Sequence, residues 1–298
     1  MTSRMSAAYN NFIKYFRKTQ DHRLLFSINP GRSGSQYLAE LLGTAEEVTS
    51  FHEAEPPMNG SFLHMINELP YAGTAKKRRI KCNAIKKILN GLPAGQIYCE
   101  TNHMFIKTFY DVVIKEFKNI GVIILRRELS HVLKSFVELG YFSSKNTAWP
   151  DWMSSPNAQT RAINCIDKDE NLDQYDLCIA YLLDIEARAR RFQREYPRVN
   201  TYEVCLESLC HYPDVVTFFE KLKITPTGQT QEMTGRVLNS RKEAKMRYDN
   251  FSEIEYCEER IKAYIKKSML LGIDVPEDIV SGYVVTPEKQ KGGSYGIS

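Results

Sequence analysis

Residues 24–42 constrain the fold more than any other part of this 298-residue chain. The apolar run Leu24 to Ile28 enters the turn Asn29-Pro30-Gly31-Arg32-Ser33-Gly34-Ser35-Gln36, which opens straight into the helical pattern Tyr37 to Leu42. A buried strand that hands over to a helix through a glycine turn makes a phosphate cradle. The glycines let consecutive N–H groups converge on an anion, and the helix start adds unpaired amides and partial positive charge. Gly31, Arg32, Ser33, Gly34, Ser35 and Gln36 are the candidate ligands, with Arg32 and the hydroxyls of Ser33 and Ser35 expected to face one space.

An ATP-binding loop of the G-x-x-x-x-G-K-[ST] type needs a lysine and the hydroxyl that holds magnesium. Here only two residues separate Gly31 from Gly34, and Ser35-Gln36 stands where Lys-Ser or Lys-Thr is required. A nucleoside triphosphate kinase is therefore disfavoured. A second element adds another anion site. The β-branched run Gly121 to Leu125 reads as a buried parallel strand and ends at Arg126-Arg127, before a helical stretch from Ser130, with Ser135 eight positions after Arg127. A guanidinium fork suits a dianionic phosphate, and a helix hydroxyl adds a neutral donor from a second direction.

Together these stretches resemble the sulfotransferases that use 3′-phosphoadenosine 5′-phosphosulfate (PAPS). The 24–36 segment is similar to that family's 5′-phosphosulfate loop, with Arg32 in place of the usual lysine. Arg127 and Ser135 match its 3′-phosphate clamp, although Arg127-Glu128-Leu129 stands where Arg-Asn-Pro or Arg-Asp-Pro is usual. Further matches follow in the family's order: Tyr98 to Asn102, the strand and turn Val199 to Leu206 with Tyr202, and a late basic loop, Ser240-Arg241-Lys242, expected to fold over the 3′-phosphate. The resemblance runs from about Leu24 to Lys242. It implies an enzyme that moves a sulfuryl group from PAPS to a hydroxyl or amine, leaves 3′-phosphoadenosine 5′-phosphate (PAP), and needs no metal.

Under that resemblance Arg32 neutralises the leaving phosphate. Phe51-His52-Glu53 resembles the segment where several family members carry a catalytic carboxylate, so Glu53 is the first candidate base and His52 the second. Either type of side chain is tunable to accept a proton near neutral pH. Glu100 is third, by its match to a Glu-Lys-Ser segment, and His103 fourth. Phe51, His103, Tyr141, Phe142, Trp149 and Trp152 are candidate acceptor contacts, equally able to wall an apolar secondary metabolite or toxin, to stack on sugar rings, or to be core. A non-catalytic PAP-binding module is the contrasting reading.

Alternating strand and helix patterns predict a three-layer α/β sandwich with a central, mostly parallel sheet and a P-loop-like phosphate-binding turn. Strands are expected at 24–28, 96–99, 122–125 and 199–204. Helices are expected at 7–17, 36–42, 105–117, 130–139, 177–196, 213–221 and 252–271. One domain is expected over 1–286, with an N-terminal helix in 1–20, an irregular substrate or lid loop over 141–171, and a disordered tail at 287–298. The net charge of +4 suits an anionic ligand but is too slight to argue for nucleic acid. The tract Lys76-Lys77-Arg78-Arg79 with Lys81 reads as a solvated helix face or loop. The seven cysteines have no C-x-x-C or metal-ligand spacing, which favours reduced thiols. No segment reads as a signal peptide or membrane span, so the expected setting is cytoplasmic, with a small-molecule acceptor and neither nucleic acid nor membrane as partner.

Overall fold

The computed structural model describes residues 22–167, 171–238 and 251–283. The helix expected within 1–20, the tail at 287–298, and Ser240, Arg241 and Lys242 lie outside the described residues. The central sheet has five strands, β1 (Leu24–Ile28), β2 (Val48–His52), β3 (Ile97–Thr101), β4 (Ile120–Arg126) and β5 (Asn200–Cys205). They lie in the order β2-β3-β1-β4-β5, and every pairing is parallel. The expected sandwich is present, with a sheet that is wholly rather than mostly parallel.

Alternation along the strands produces two cores. Leu24, Phe26 and Ile28 of β1 join Tyr98, Val122 and Ile124 on one face, while Leu25 joins Ile97, Cys99, Ile123 and Leu125 on the other. Side chains of successive strand residues point to opposite faces, so a run apolar at every position must be covered on both. The larger face is covered by helices α6 (Leu129–Glu138), α7 (Gln174–Glu195) and α10 (Ile254–Leu270). The smaller is covered by α1 (Ser35–Leu42) and α8 (Tyr212–Leu222). Phe26 stacks on Phe105 with centroids 4.8 Å apart. Burying such a side chain contributes about 1.5–3 kcal/mol.

The chain leaves β1 toward β2 on one side and leaves β4 toward β5 on the other. The carboxyl ends of the neighbouring strands β1 and β4 therefore flank a crevice where the connections diverge, the place where open α/β sheets bind ligands. Both arginine-bearing turns of the sequence open onto it.

Strand β2 is an edge strand whose side chains are mostly half-buried, and it is not among the strands expected from the sequence. Also missed are α2 (Ser61–Glu68), α3 (Tyr71–Arg78), α4 (Ile80–Gly91), α9 (Gly228–Met233) and α11 (Glu277–Tyr283). The helix expected at 105–117 is divided into one π-helical turn, Phe105–Phe109, and α5 (Tyr110–Glu116).

The basic tract is not a uniformly solvated face. Arg78 and Lys81 are fully buried. Arg78 donates to Thr74 Oγ1 (2.9 Å), the Thr108 carbonyl (2.7 Å), the Tyr71 carbonyl (2.6 Å) and both carboxylate oxygens of Asp111. All five guanidinium N–H groups are thereby engaged, which is what makes its burial tolerable.

Between Leu139 and Asp173 the described residues hold one short 3₁₀ turn, Trp149–Asp151. This segment is tied down. Asp184 of α7 accepts the backbone N–H of Ala162 (2.6 Å) and of Ile163 (3.4 Å), and Thr160 Oγ1 donates to the Ile66 carbonyl at 3.0 Å. The seven cysteines are all free thiols.

Candidate functional site

A cavity of about 470 Å³ lies at the carboxyl ends of β1, β2, β3 and β4. One side is the cradle. Gly31 (φ 84°) and Gly34 (φ 89°) take left-handed backbone, and Gly34 caps α1 with no side chain bonded to the helix start. A Cβ on Gly34 would lie 2.5 Å from Leu206 Cδ1, so glycine is required there for space as well as for φ. The Gly31 N–H is held by Asn29 Oδ1 at 3.0 Å, and the Pro30 carbonyl accepts from Tyr181 Oη at 2.9 Å.

Arg32 and Glu53 also have left-handed backbone, at φ 57° and 54°, and both line the cavity. Such residues cost of order 1–3 kcal/mol each and cluster at functional sites.

Arg127 and Ser135 meet the cradle directly. Arg127 Nη1 donates to the Arg32 carbonyl at 3.2 Å, and Arg32 Nε donates to Ser135 Oγ at 3.3 Å. Residues about a hundred positions apart thus meet at one wall of the cavity. The buried Arg127 Nε has no hydrogen-bond partner among the described residues, with Glu207 Oε1 4.0 Å away. His131 and Lys134, on the same face of α6, line the cavity too. The sequence reading missed both, although the i+4 spacing from His131 to Ser135 within the helix was a usable signal.

Opposite the cations stand Glu53, His52 and His103. Glu53 Oε1 is 3.7 Å from His52 Nε2 and 3.5 Å from His103 Nε2. His52 Nδ1–H donates to the Thr101 carbonyl at 2.9 Å, which leaves Nε2 as the acceptor nitrogen of its neutral ring. The His103 ring stacks on Trp152, with centroids 5.7 Å apart and an interplanar angle of 13°. Its Nδ1 meets Lys107 Nζ at 2.9 Å. Lys107 is fully buried, and desolvation, reinforced by Arg188, holds its ammonium well below the usual lysine range. The sequence reading overlooked it, because a lone lysine within Phe105-Ile106-Lys107-Thr108-Phe109 looks like a break in an apolar pattern.

Several expected site residues lie elsewhere. Glu100 is fully buried beneath the cavity, paired with Lys81 Nζ at 2.6 Å and accepting from Tyr98 Oη (2.6 Å) and Asn102 Nδ2 (2.9 Å). It is a structural anion with no face on the cavity. Tyr202 sits mid-strand in β5 opposite Ile123, three rungs short of Arg126, and its hydroxyl accepts from Arg23 at 3.1 Å. Ser33 is fully buried, its hydroxyl turned toward Asn29 rather than toward the cavity.

Of the aromatic candidates, Tyr141 and Trp152 line the cavity, joined by Met153. Phe142 packs on Trp149 and Tyr181 in the core, and Phe51 packs on Tyr98. Val237, Leu238 and Ile254 complete the rim. Among the described residues no group of three or more His, Cys, Asp or Glu side chains is placed to hold a metal ion.

No family model matches the chain, and no curated protein does. Among solved structures it is similar to sulfotransferase STF1 from Mycobacterium tuberculosis H37Rv, with 10% identity, a TM-score of 0.45, and 86% of this chain and 80% of that one covered. Sulfotransferase STF9 from Mycobacterium avium matches at 12% identity and TM-score 0.44, over 88% of this chain and 80% of that one. A sulfotransferase from Alicyclobacillus acidocaldarius matches at 11% identity and TM-score 0.41, over 82% and 96%. What the cavity can do is set by its own side chains.

Proposed function

We propose that the chain is a sulfotransferase that moves the sulfuryl group of PAPS to a hydroxyl or amine of a small-molecule acceptor. The observation that carries this is the meeting of two anion sites in one cavity with a carboxylate across from them: Arg127 on the Arg32 carbonyl, Arg32 on Ser135, and Glu53 opposite. A nucleotide with one phosphate group at each end of its ribose needs two such sites.

The residues fit PAPS. The amides of Gly34, Ser35 and Gln36 at the start of α1, with Arg32, would hold its 5′ end; Arg127 and Ser135 would hold its 3′-phosphate, with His131 and Lys134 within the same wall. The expected further clamp, Ser240, Arg241 and Lys242, lies outside the described residues. When bound, PAPS supplies the sulfuryl group and departs as PAP.

Arg32 lies where charge grows on the departing phosphate, and a donor already fixed by its backbone needs no reorganisation to meet that charge. Glu53 faces the cavity from the acceptor side and takes the acceptor's proton. His103 and His52 flank its carboxylate, with His103 Nε2 at 3.5 Å and His52 Nε2 at 3.7 Å. Trp152, Tyr141 and Met153 form a partly apolar wall on the acceptor side and exclude water from it. The pairing of an aromatic ring with a thioether favours a small, partly apolar acceptor over a long polyanion.

Titration calorimetry with PAP in EDTA tests the proposal. Saturable binding without metal is expected, with ATP a poor competitor. Binding that requires magnesium, or equal competition by ATP, would overturn it. Release of PAP from PAPS only when an acceptor is added separates an enzyme from a binding module.

A further inference from the structure

We propose that Lys107 is a positioning residue behind His103, whose Nζ donates to Nδ1 and fixes the ring proton on Nε2, so that His103 is a hydrogen-bond donor to Glu53 and the cavity and not the base. Lys107 lies in the π-helical turn Phe105–Phe109, one helical spacing after His103, and turns inward rather than to solvent. Wide turns of this kind frequently mark functional positions.

With Lys107 as an ammonium, counting donors selects one tautomer. Nζ has three acceptors around it: His103 Nδ1 at 2.9 Å, the Trp152 carbonyl at 2.7 Å and Tyr181 Oη at 3.0 Å. Tyr181 gives its own proton to the Pro30 carbonyl at 2.9 Å, so its oxygen accepts from Lys107. The Trp152 carbonyl can only accept. An ammonium has three N–H groups and satisfies all three partners. With Nδ1 accepting, the proton of a neutral imidazole stands on Nε2, aimed at Glu53 Oε1 3.5 Å away. The opposite tautomer would turn a lone pair toward that carboxylate and require Lys107 as a neutral amine.

The chain Lys107 to His103 to Glu53 therefore places a cation behind an imidazole and a carboxylate in front. This reverses the carboxylate-backed histidine of hydrolytic triads, in which the buried group makes the imidazole a base. The same contacts tie Lys107 to the Trp152 wall and, through Tyr181, to the cradle at Pro30.

Glu53 and Asp184 favour the ammonium, while burial and Arg188 oppose it. Lys107 thus loses its proton at lower pH than a solvated lysine. As pH rises through that value the amine becomes an acceptor, Nδ1 takes the ring proton, and Nε2 ceases to donate.

The role of Glu53 as base rests on the sulfuryl-transfer proposal, but the tautomer does not, and nitrogen-15 spectra of the histidine rings in the full chain read it directly. His103→Gln assigns the signal. In the wild type at neutral pH the expected result is a bare Nδ1 and a protonated Nε2, changing places as pH is raised. In Lys107→Met the preference is lost, and kcat falls about 10- to 100-fold with PAP affinity unchanged, the loss expected for one charge-assisted hydrogen bond. A protonated Nδ1 in the wild type at neutral pH overturns the proposal, and that spectrum decides even if Lys107→Met does not fold. An unchanged kcat in folded Lys107→Met overturns the positioning role.

Discussion

Replacing Arg127 by Ala should separate the two ends of the nucleotide, and the structure sets how cleanly. The side chain does two things: Nη1 holds the Arg32 carbonyl at 3.2 Å, and the buried Nε has no hydrogen-bond partner among the described residues. Loss of the first contact loosens the 5′ cradle, at a cost of about 0.5–1.5 kcal/mol for any ligand held there. Removal of the guanidinium from the 3′-phosphate costs about 1.5–3 kcal/mol, as for a hydrogen bond to a charged group. At about 1.4 kcal/mol per tenfold, AMP should lose roughly 2- to 12-fold in affinity and PAP a further 12- to 140-fold or so. The assay is calorimetry of both nucleotides, in EDTA, against the wild type and Arg127→Ala. Ser135→Ala should show the same selectivity at a smaller size, since Ser135 offers a neutral hydroxyl. Equal loss of AMP and PAP in Arg127→Ala would refute the assignment of a 3′-phosphate site and reduce Arg127 to a brace for the cradle.

Glu53→Gln keeps the size and the contacts to His52 and His103 but removes basicity, so turnover should fall by about 10² to 10⁴ with PAP affinity unchanged; wild-type turnover with a true acceptor, together with an inactive His52→Asn, would pass the role to His52. Gly34→Ala should destabilise by roughly 1–2 kcal/mol for its left-handed φ of 89° and about 1–3 kcal/mol for the overlap with Leu206. Adding Leu206→Ala should relieve the overlap and leave the backbone cost, and urea unfolding of both variants would show no such relief if the close approach is unimportant. Glu100→Gln leaves Lys81 buried without its counter-charge and should cost about 3–5 kcal/mol of stability; a folded variant with wild-type stability and no turnover would return Glu100 to the list of bases. Glu116 has its carboxyl held below the usual range chiefly by the Lys86 hydrogen bond. Its contribution should be fully present above the unfolded value of about 4.3 and lost as pH falls through the lower folded value, so unfolding of wild type and Lys86→Met should converge in acid. A difference that does not change with pH would count against this.

The parts of the site legible in the sequence were those whose function is carried by backbone and by local spacing. The cradle at Gly31 to Gln36 was visible because a strand, two glycines and a helix are contiguous, and Arg127 with Ser135 because a strand end and the next helix turn fix their separation. Strand β2 was not legible. An edge strand with half-buried side chains lacks the apolar run that marks β1 or β4, and Val48-Thr49-Ser50-Phe51-His52 contains only two apolar residues. Lys81 and Arg78 were misread for a related reason, since a lysine's burial depends on partners distant in sequence, here Glu100, and an arginine's likewise, here Asp111. Tyr202 fell short because a signature fixes the strand but not which rung reaches the sheet's end.

The Lys81–Glu100 pair also braces the side of the cavity that carries Glu53 and His52. Lys81 reaches past Glu100 to the carbonyls of Ala54 (2.6 Å) and Pro56 (3.1 Å), so the buried pair pins the turn that follows Glu53. Thr101 Oγ1 donates to the Ser35 carbonyl at 2.8 Å, and the Thr101 carbonyl receives His52 Nδ1–H at 2.9 Å. The last rung of β3 therefore joins the cradle helix to His52 through one residue. Each link is a hydrogen bond of 3.1 Å or less made where the groups are buried or part-buried, and such links hold reacting groups in register. Part of the opposite rim, Val237, Leu238 and Ile254, is apolar. Polar anchoring is thus concentrated at the sheet end that carries the cradle, His52 and Glu53, which under the proposed sulfuryl transfer is the end that takes up a proton.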